Sequence, residues 1–408
     1  MGNLLLSLPL FLIYVLMVPF FADSIKSSPS VFYLSAFFIP IYFVEAGLNA
    51  VINSKFPHRL AYKTPVVDLS KLALILWLGQ LGLSGVVLCI IIAYCLYLCF
   101  AFYPVKAFMK DGFDLSILKG WLSSSWIVLY GAVGGSVYGT LDILLLGVLS
   151  SASSLGSYGV ASTIAGFLKL SGSLSYALYS KLLAEEKEVR REAYAKEAMM
   201  LTLMFLLPLF VGCILLAPNL IEIFGSKYLD CLQTLYILAF ATFLGVLSGI
   251  ASAVILGAEK MDLERFSMSQ LARSNIFFIN SLGYLAIAIT TPLLFLFIPR
   301  YGMVGCATAI LIQSALYFLI VSYKAFRRTR IVSYTRFLKF LLASSIMSIF
   351  IRLVYATGTI ETLLIILLGA LIYFVSLSLI DNGTRNLAKK IFDEIKNLRP
   401  FTQTRTEK

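Results

Sequence analysis

The sequence predicts an all-α, polytopic membrane protein with about twelve transmembrane helices. Hydrophobic residues make up 60% of its 408 residues, and charged residues make up only 13%. The apolar residues come in runs of roughly 16 to 25, which is the length that a membrane-spanning helix needs. Because lipid offers no hydrogen-bond partners to the backbone, such runs must be helices. This composition excludes a soluble enzyme.

The helices are predicted where apolar runs lie between polar breaks. The first run has no basic flank and no small-residue cleavage site, so we interpret it as a span and not as a signal peptide. Pro40 is expected to kink the second span. The predicted spans are 4–21, 31–52, 66–81, 84–103, 122–149, 156–180, 199–217, 235–257, 277–298, 302–323, 338–356 and 360–380.

The basic residues predict the orientation of these spans. With the N-terminus inside, the inner loops and the C-terminal tail hold 27 Lys and Arg, and the outer loops hold only Lys26, Lys227 and Arg300. Positively charged loops stay on the cytoplasmic side, so both termini are predicted to be cytoplasmic in the cell membrane. The same distribution accounts for the net charge of +12 and removes the main argument for nucleic-acid binding.

Two longer polar breaks and the tail divide the chain. The second break, 181–198, mixes charges at helical spacing and is interpreted as a cytoplasmic extension of the sixth helix. The amphipathic, basic tail is expected to lie on the inner leaflet. The predicted parts are a shortened N-terminal lobe of four helices at 1–105, a cytoplasmic linker at 106–121, a C-terminal lobe of six helices at 122–323, a terminal hairpin at 324–380 and the tail at 381–408.

An internal repeat links the two lobes. The turn Gly82-Leu-Ser-Gly85 corresponds to Gly302-Met-Val-Gly305 at an offset of 220 residues, with further matches on the helices that follow. Parallel repeats of this kind are typical of transporters whose two lobes rock about a central path.

Small and polar residues follow single faces of three predicted helices. On the fifth helix Gly131, Gly135, Gly139 and Asp142 share a face, which would allow close helix contact or leave room for a ligand. On the sixth, the polar face carries Lys169, and on the second it carries Glu45. The other candidate cavity-lining residues on these faces are Asn49, Ser162, Ser173 and Tyr176.

Ionised groups are costly in a membrane, so Asp142, Lys169 and Glu45 need polar surroundings. They either form buried pairs that fix helix register or line a solvated cavity and meet substrate or a coupling ion. An Asp142–Lys169 pair and a Glu45–Lys169 pair are both compatible with their predicted depths. No catalytic residue, metal site or cofactor is predicted, because the single His58 and the six cysteines form no ligand spacing.

The chain also resembles a known family in motifs spread along most of its length. It is similar to polysaccharide and lipid-linked-oligosaccharide exporters of the Wzx type, within the multidrug/oligosaccharidyl-lipid/polysaccharide (MOP) exporter superfamily. The residues that carry the resemblance are Leu141-Asp142, Leu146-Gly147, Leu155-Gly156, Tyr158, Ala161, Ala217-Pro218, Phe224-Gly225, Tyr228, Ile298-Pro299, Tyr301-Gly302 and Gly305-Cys306-Ala307.

The resemblance implies a MATE-like fold of two lobes. It also implies that the first two helices of the usual N-terminal lobe are missing here, through either a late start codon or a shortened paralogue. It further implies a flippase, not an enzyme, that moves a polyprenyl-(pyro)phosphate-linked saccharide by alternating access through a cavity between the lobes. Lys169 would meet the phosphate, and Asp142 or Glu45 would carry a coupling H⁺ or Na⁺.

Three alternatives remain at this stage. A cation-coupled drug or metabolite antiporter belongs to the same superfamily, but the motifs favour the saccharide branch. A membrane-bound polymerase or ligase would need a substantial outer catalytic loop, and the longest outer loop, 218–234, has no convincing catalytic set. A non-transporting paralogue that binds a partner in the membrane is the third.

Overall fold

Helices form all the regular secondary structure in the described part of the chain. The computed structural model describes residues 2–25, 28–55, 63–106, 126–173, 188–257, 273–327, 333–354, 358–381 and 383–385. The α-helices are α1 (Gly2–Ile25), α2 (Pro29–Ala36), α3 (Phe38–Lys55), α4 (Lys63–Leu78), α5 (Gly82–Val105), α6 (Trp126–Leu149), α7 (Ala152–Gly166), α8 (Glu188–Leu215), α9 (Ala217–Phe224), α10 (Leu232–Gly257), α11 (Asn275–Phe326), α12 (Tyr334–Leu353) and α13 (Thr359–Ile380).

Seven helical segments of the described chain are long and apolar enough to cross a membrane. Two of them, Pro65–Val105 and Asn275–Ala325, contain 41 and 51 residues. A single crossing takes about 20 residues, so each of these is long enough for two of the predicted spans. The shorter apolar segment Ser7–Phe20 falls within the first predicted span. The fold class, an all-α polytopic membrane protein, is confirmed.

Contacts within the chain divide it into two compact units, 1–121 and 122–408. In the first unit, α3, α4 and α5 pack through a small apolar core that includes Leu48, Val67 and Tyr97. The predicted kink at Pro40 is confirmed, since α2 ends at Ala36 and α3 begins at Phe38. The cause is local: proline has no N–H, and its ring collides with the carbonyl four residues earlier.

The two GxxG turns predicted to be repeats share one backbone conformation. Gly82 and Gly302 have positive φ values of 68° and 55°, which side chains other than glycine rarely adopt. At Gly85 and Gly305 the chain passes so close to the preceding helix that an added Cβ would lie 1.9 and 2.3 Å from a backbone carbonyl oxygen. The repeated motif therefore encodes one type of tight helical turn, once in each unit.

The long helix α11 is a hairpin of two arms that meet at Gly302. Residues from both ends of α11, such as Leu282 and Val321, share one buried cluster, which requires the second arm to fold back along the first. Lys324 Nζ lies 3.6 Å from the ring centroid of Phe278, near the open end of the hairpin. The predicted pair of spans 277–298 and 302–323 corresponds to these arms.

The last two helices pack on α8. Tyr373 of α13 is fully buried, and its hydroxyl donates to the backbone oxygen of Met204 at 2.7 Å. At the end of α13, the buried Asp381 accepts from Lys339 Nζ at 3.0 Å and from the backbone N–H of Thr384 at 3.0 Å. Burial raises the pKa of the Asp381 carboxyl, but these hydrogen bonds outweigh it and hold the pKa below its usual value.

Two predicted helices have different limits in the structure. Residues 188–198 form the beginning of α8, so this part of the charged break extends the seventh predicted span and not the sixth. The sixth predicted span, 156–180, is α-helical only to Gly166 and continues as a 3-10 helix from Phe167 to Ser173, and 174–180 lie outside the described residues.

Candidate functional site

A cavity of about 350 Å³, with a largely apolar lining that carries several polar side chains, lies inside the second unit, between α6, α10 and both arms of α11. Its volume falls within the range of small-molecule binding pockets. The lining consists of small, hydroxyl-bearing, amide and apolar side chains: Gly131, Gly135, Tyr138, Gly245, Ser248, Ile279, Asn280, Gly283, Ala286, Gln313, Ser314 and Tyr317. None of these twelve lining residues is Asp, Glu, Lys, Arg or His.

The predicted glycine stripe of α6 forms one wall of this cavity. At Gly131 an added Cβ would lie 2.6 Å from the side-chain amide of Asn280, and at Gly134 it would lie 2.8 Å from the ring of Tyr284. At Gly135 it would meet no atom within 4 Å. The stripe therefore does both things expected of it: it lets α11 approach closely and leaves open space beside that contact.

Aromatic contacts fix the position of α11 against α6. The ring of Tyr130 stacks on Tyr284 with centroids 4.4 Å apart and on Phe277 at 5.4 Å. The Tyr284 hydroxyl donates to the backbone oxygen of Tyr130 at 2.8 Å. These contacts hold the cavity wall without filling the cavity itself.

Gln313 is a buried polar side chain of the lining, with 4% of its surface exposed. The hydroxyl of Tyr138 donates to its Oε1, which directs the amide plane. No described residue accepts a hydrogen bond from the Gln313 amide nitrogen. On the neighbouring wall, the Ser248 hydroxyl donates to the backbone oxygen of Leu244 at 2.7 Å, so its lone pairs remain as acceptors. The cavity thus offers donors and acceptors without charge.

Asp142 lies on α6 beyond this cavity. Its Oδ2 accepts a 2.5 Å hydrogen bond from the hydroxyl of Tyr158, which is buried in α7. The Cys306 thiol lies 3.9 Å from the backbone oxygen of Asp142. Among the described residues no ion pair joins Asp142 to Lys169, so the partner of this carboxylate is a tyrosine and not the predicted lysine.

Of the residues predicted on the sixth helix, Ser162 and Lys169 do not line the cavity of the second unit. Lys169 lies exposed on the 3-10 segment, and Ser162 is half-buried on α7. Ser173 ends the 3-10 segment, but its side chain is outside the description, as is the whole of Tyr176. The helical spacing that placed them on one face breaks down because a 3-10 helix turns by three residues and not by 3.6.

Glu45 and Asn49 belong to a separate network in the first unit. Glu45 is 2% exposed; its Oε1 lies 2.5 Å from Lys63 Nζ and accepts from Asn49 Nδ2 at 3.0 Å. Asn49 in turn accepts from the hydroxyl of Tyr97 at 2.6 Å. The hydrogen bond to Glu45 raises the pKa of Lys63. The partner of Glu45 is therefore Lys63, which closes α4 onto α3, and not the predicted Lys169.

A family comparison decides the class of the chain. The family model described as "Polysaccharide biosynthesis protein" matches residues 1–233, which is more than half of the sequence. The chain belongs to this family. Among curated proteins, none matches it.

Solved structures agree with this family of membrane proteins. The chain is similar to a lipid II flippase MurJ in an inward closed conformation, with a TM-score of 0.69 and 18% identity over 95% of this chain and 83% of that one. It is also similar to a MATE mutant, with a TM-score of 0.55 and 14% identity over 80% of this chain and 77% of that one. The MATE-like fold and the resemblance to MOP exporters are confirmed.

The family match places the chain among polysaccharide biosynthesis proteins, and the likeness to the two solved structures shows its fold. Within the described residues, no group of three or more His, Cys, Asp or Glu side chains is arranged to hold a metal ion.

No sequence pattern predicted the cavity residues that α10 and α11 contribute. Asn280, Gln313, Ser314 and Tyr317 lie far along the chain from the glycine stripe of α6, and no pattern joins the two regions. A signal was present, since Asn280 and Gln313 are amides within otherwise apolar spans. Amides inside a membrane segment need a polar partner or a cavity, and here they face one.

Proposed function

We propose that this protein is a flippase that moves a polyprenyl-linked saccharide from the inner to the outer leaflet by alternating access. The observation that carries the proposal is the cavity of the second unit, whose described lining is uncharged and carries hydroxyl and amide groups on an otherwise apolar surface. Membership of the polysaccharide biosynthesis protein family supports a saccharide as the cargo. The lipid carrier would remain in the bilayer while the sugar passes through protein.

The chemistry of the lining supports a sugar. A sugar hydroxyl both donates and accepts hydrogen bonds, and in hydrocarbon it would lose both. Gln313 offers an amide N–H, Ser248 offers lone pairs, and Tyr138 adds an aromatic wall. A pocket with an aromatic and apolar body and a few placed polar groups is the usual design of a small-molecule site.

A cation-coupled drug antiporter is less well supported by the same lining. A cationic drug would need a carboxylate or an aromatic cage to replace its lost water. The described lining of the cavity holds no carboxylate and only two tyrosines, Tyr138 and Tyr317. A neutral sugar, in contrast, requires no charged side chain in the lining of this cavity.

We assign the remaining predicted residues as follows. Lys169 is exposed and, among the described residues, forms no ion pair, so its ammonium is available to a phosphate or pyrophosphate. Asp142 and Glu45 are the candidate carriers of a coupling H⁺ or Na⁺. The cytoplasmic side of both termini and the plasma membrane as location rest on the distribution of Lys and Arg along the chain.

A leaflet assay tests the proposal. The purified protein is reconstituted in vesicles with a fluorescent polyprenyl-pyrophosphate saccharide, and a membrane-impermeant reductant reports how fast the label moves between leaflets. Protein-dependent movement of the saccharide-bearing lipid is expected, without movement of an equally labelled polyprenyl pyrophosphate that carries no sugar. Equal movement of both lipids, or movement no faster than in protein-free vesicles, would contradict a saccharide flippase.

A further inference from the structure

We infer that the cavity of the second unit is a subsite for neutral sugar rings, which accepts hydroxyl and N-acetyl groups and rejects carboxylated sugars such as uronic or sialic acids. The inference rests on the proposed function and specifies its substrate class. It depends on two observations made independently of the family: the charge of the lining and the geometry of Gln313.

The lining sets the charge of the ligand. All twelve lining residues are neutral, and none is Lys or Arg. A sugar carboxylate that entered this cavity would lose its water and gain no cation in exchange. A neutral ring exchanges water hydrogen bonds for those of Ser, Gln and Tyr side chains. Discrimination against the acidic sugar of about a hundredfold is expected.

Gln313 provides a hydrogen-bond donor for the ligand. Its side chain is buried, and Tyr138 holds its Oε1, so the amide nitrogen is the part of the group left for a ligand. The N–H groups on this nitrogen can donate to an oxygen of a ligand in the cavity. Carbonyl and hydroxyl oxygens of a neutral sugar can accept from it.

Gly135 makes room for the ring. An added Cβ at this position would meet no atom within 4 Å, so the cavity extends to the backbone of α6. Gly131, one turn earlier, is instead covered by Asn280. The free space at Gly135 therefore belongs to the same cavity that Tyr138 and Gln313 line.

A binding experiment without transport tests the subsite. The full chain in lipid nanodiscs is applied to an array of lipid-free oligosaccharides that includes neutral members and members with uronic or sialic acid. The variants are Gln313→Leu and Ser314→Ala, with Gln233→Leu as the matched control, because Gln233 is exposed on α10 and does not line the cavity.

The expected result is binding to neutral oligosaccharides that weakens about tenfold in Gln313→Leu, weakens also in Ser314→Ala and is unchanged in Gln233→Leu. Preference for acidic oligosaccharides, binding that ignores both cavity variants, or no binding to any oligosaccharide would overturn the inference. The leaflet assay separates the two proposals. If the protein transports the lipid but its sugar binding ignores the cavity variants, the proposed flippase function holds and the subsite does not. If the protein binds neutral sugars at this cavity but does not transport, the subsite holds and the flippase function does not.

Discussion

The turn between the two arms of α11 gives a quantitative prediction. In Gly305→Ala the new Cβ would lie 2.3 Å from the backbone oxygen of Phe297 and 2.7 Å from its carbonyl carbon, where real contacts essentially never fall below 3.0 Å. Because the obstacle is backbone, the arms must separate, and overpacking of this kind costs about 2–4 kcal/mol. In Gly302→Ala the nearest atom is Ser154 Oγ at 3.9 Å, so only the backbone conformation, φ 55° and ψ −132°, is penalised, by about 1–3 kcal/mol.

The assay is thermal unfolding of the purified variants in lipid nanodiscs. Gly212→Ala is the control, since Gly212 is helical and an added Cβ there meets nothing within 4 Å. The expected order of decreasing stability is Gly212→Ala, Gly302→Ala, Gly305→Ala, and Gly85→Ala should fall with the last because its Cβ would lie 1.9 Å from a carbonyl oxygen. A Gly305→Ala protein as stable as the control would refute the tight turn.

Three further predictions concern buried polar groups. Tyr158→Phe removes the hydroxyl that donates to the Asp142 carboxylate, so a loss of about 2 kcal/mol is expected in equilibrium unfolding by denaturant. Lys63→Met leaves the carboxylate of Glu45 buried without its cation, and a double variant that adds Glu45→Gln should recover part of the loss; no recovery would mean that the pair is not coupled. The low pKa of Asp381 stabilises the fold above the unfolded value of 3.8, so the stability gap between the natural chain and Asp381→Asn should persist from pH 7 to 5 and shrink below about pH 4.

The sequence was sufficient for the fold because its signals are local. Apolar runs, Pro40 and the paired glycine turns act within a few residues of themselves, and the structure reproduces each. The sixth span was expected to be one α-helix, and the change from α-helix to 3-10 helix after Gly166 leaves no mark in hydrophobicity. The charged break was assigned to the sixth helix because the sequence does not show which of the two neighbouring helices continues through it, and 188–198 belong to the following one.

Only the α6 wall of the cavity was predictable from the sequence. The glycine stripe of α6 indicated close contact or free space, and both occur. The predicted partner of Asp142 and Glu45 was wrong because charge alone suggested Lys169, a lysine deep in a span. The turn after α6 brings Tyr158 to Asp142, and the start of α4 brings Lys63 to Glu45. Which residues of α11 face the stripe depends on how the hairpin packs, and no local pattern reports that packing.

One pair of leaflet rates tests whether the sugar passes through the cavity of the second unit. Gly135→Leu adds a side chain to the lining at a position where a Cβ meets nothing within 4 Å. Gly139→Leu makes the same change one turn along α6, outside the lining and also with nothing within 4 Å of its Cβ. Saccharide movement is expected to fall by about tenfold or more in Gly135→Leu and to stay near the natural rate in Gly139→Leu. Equal rates in the two variants would contradict passage through this cavity.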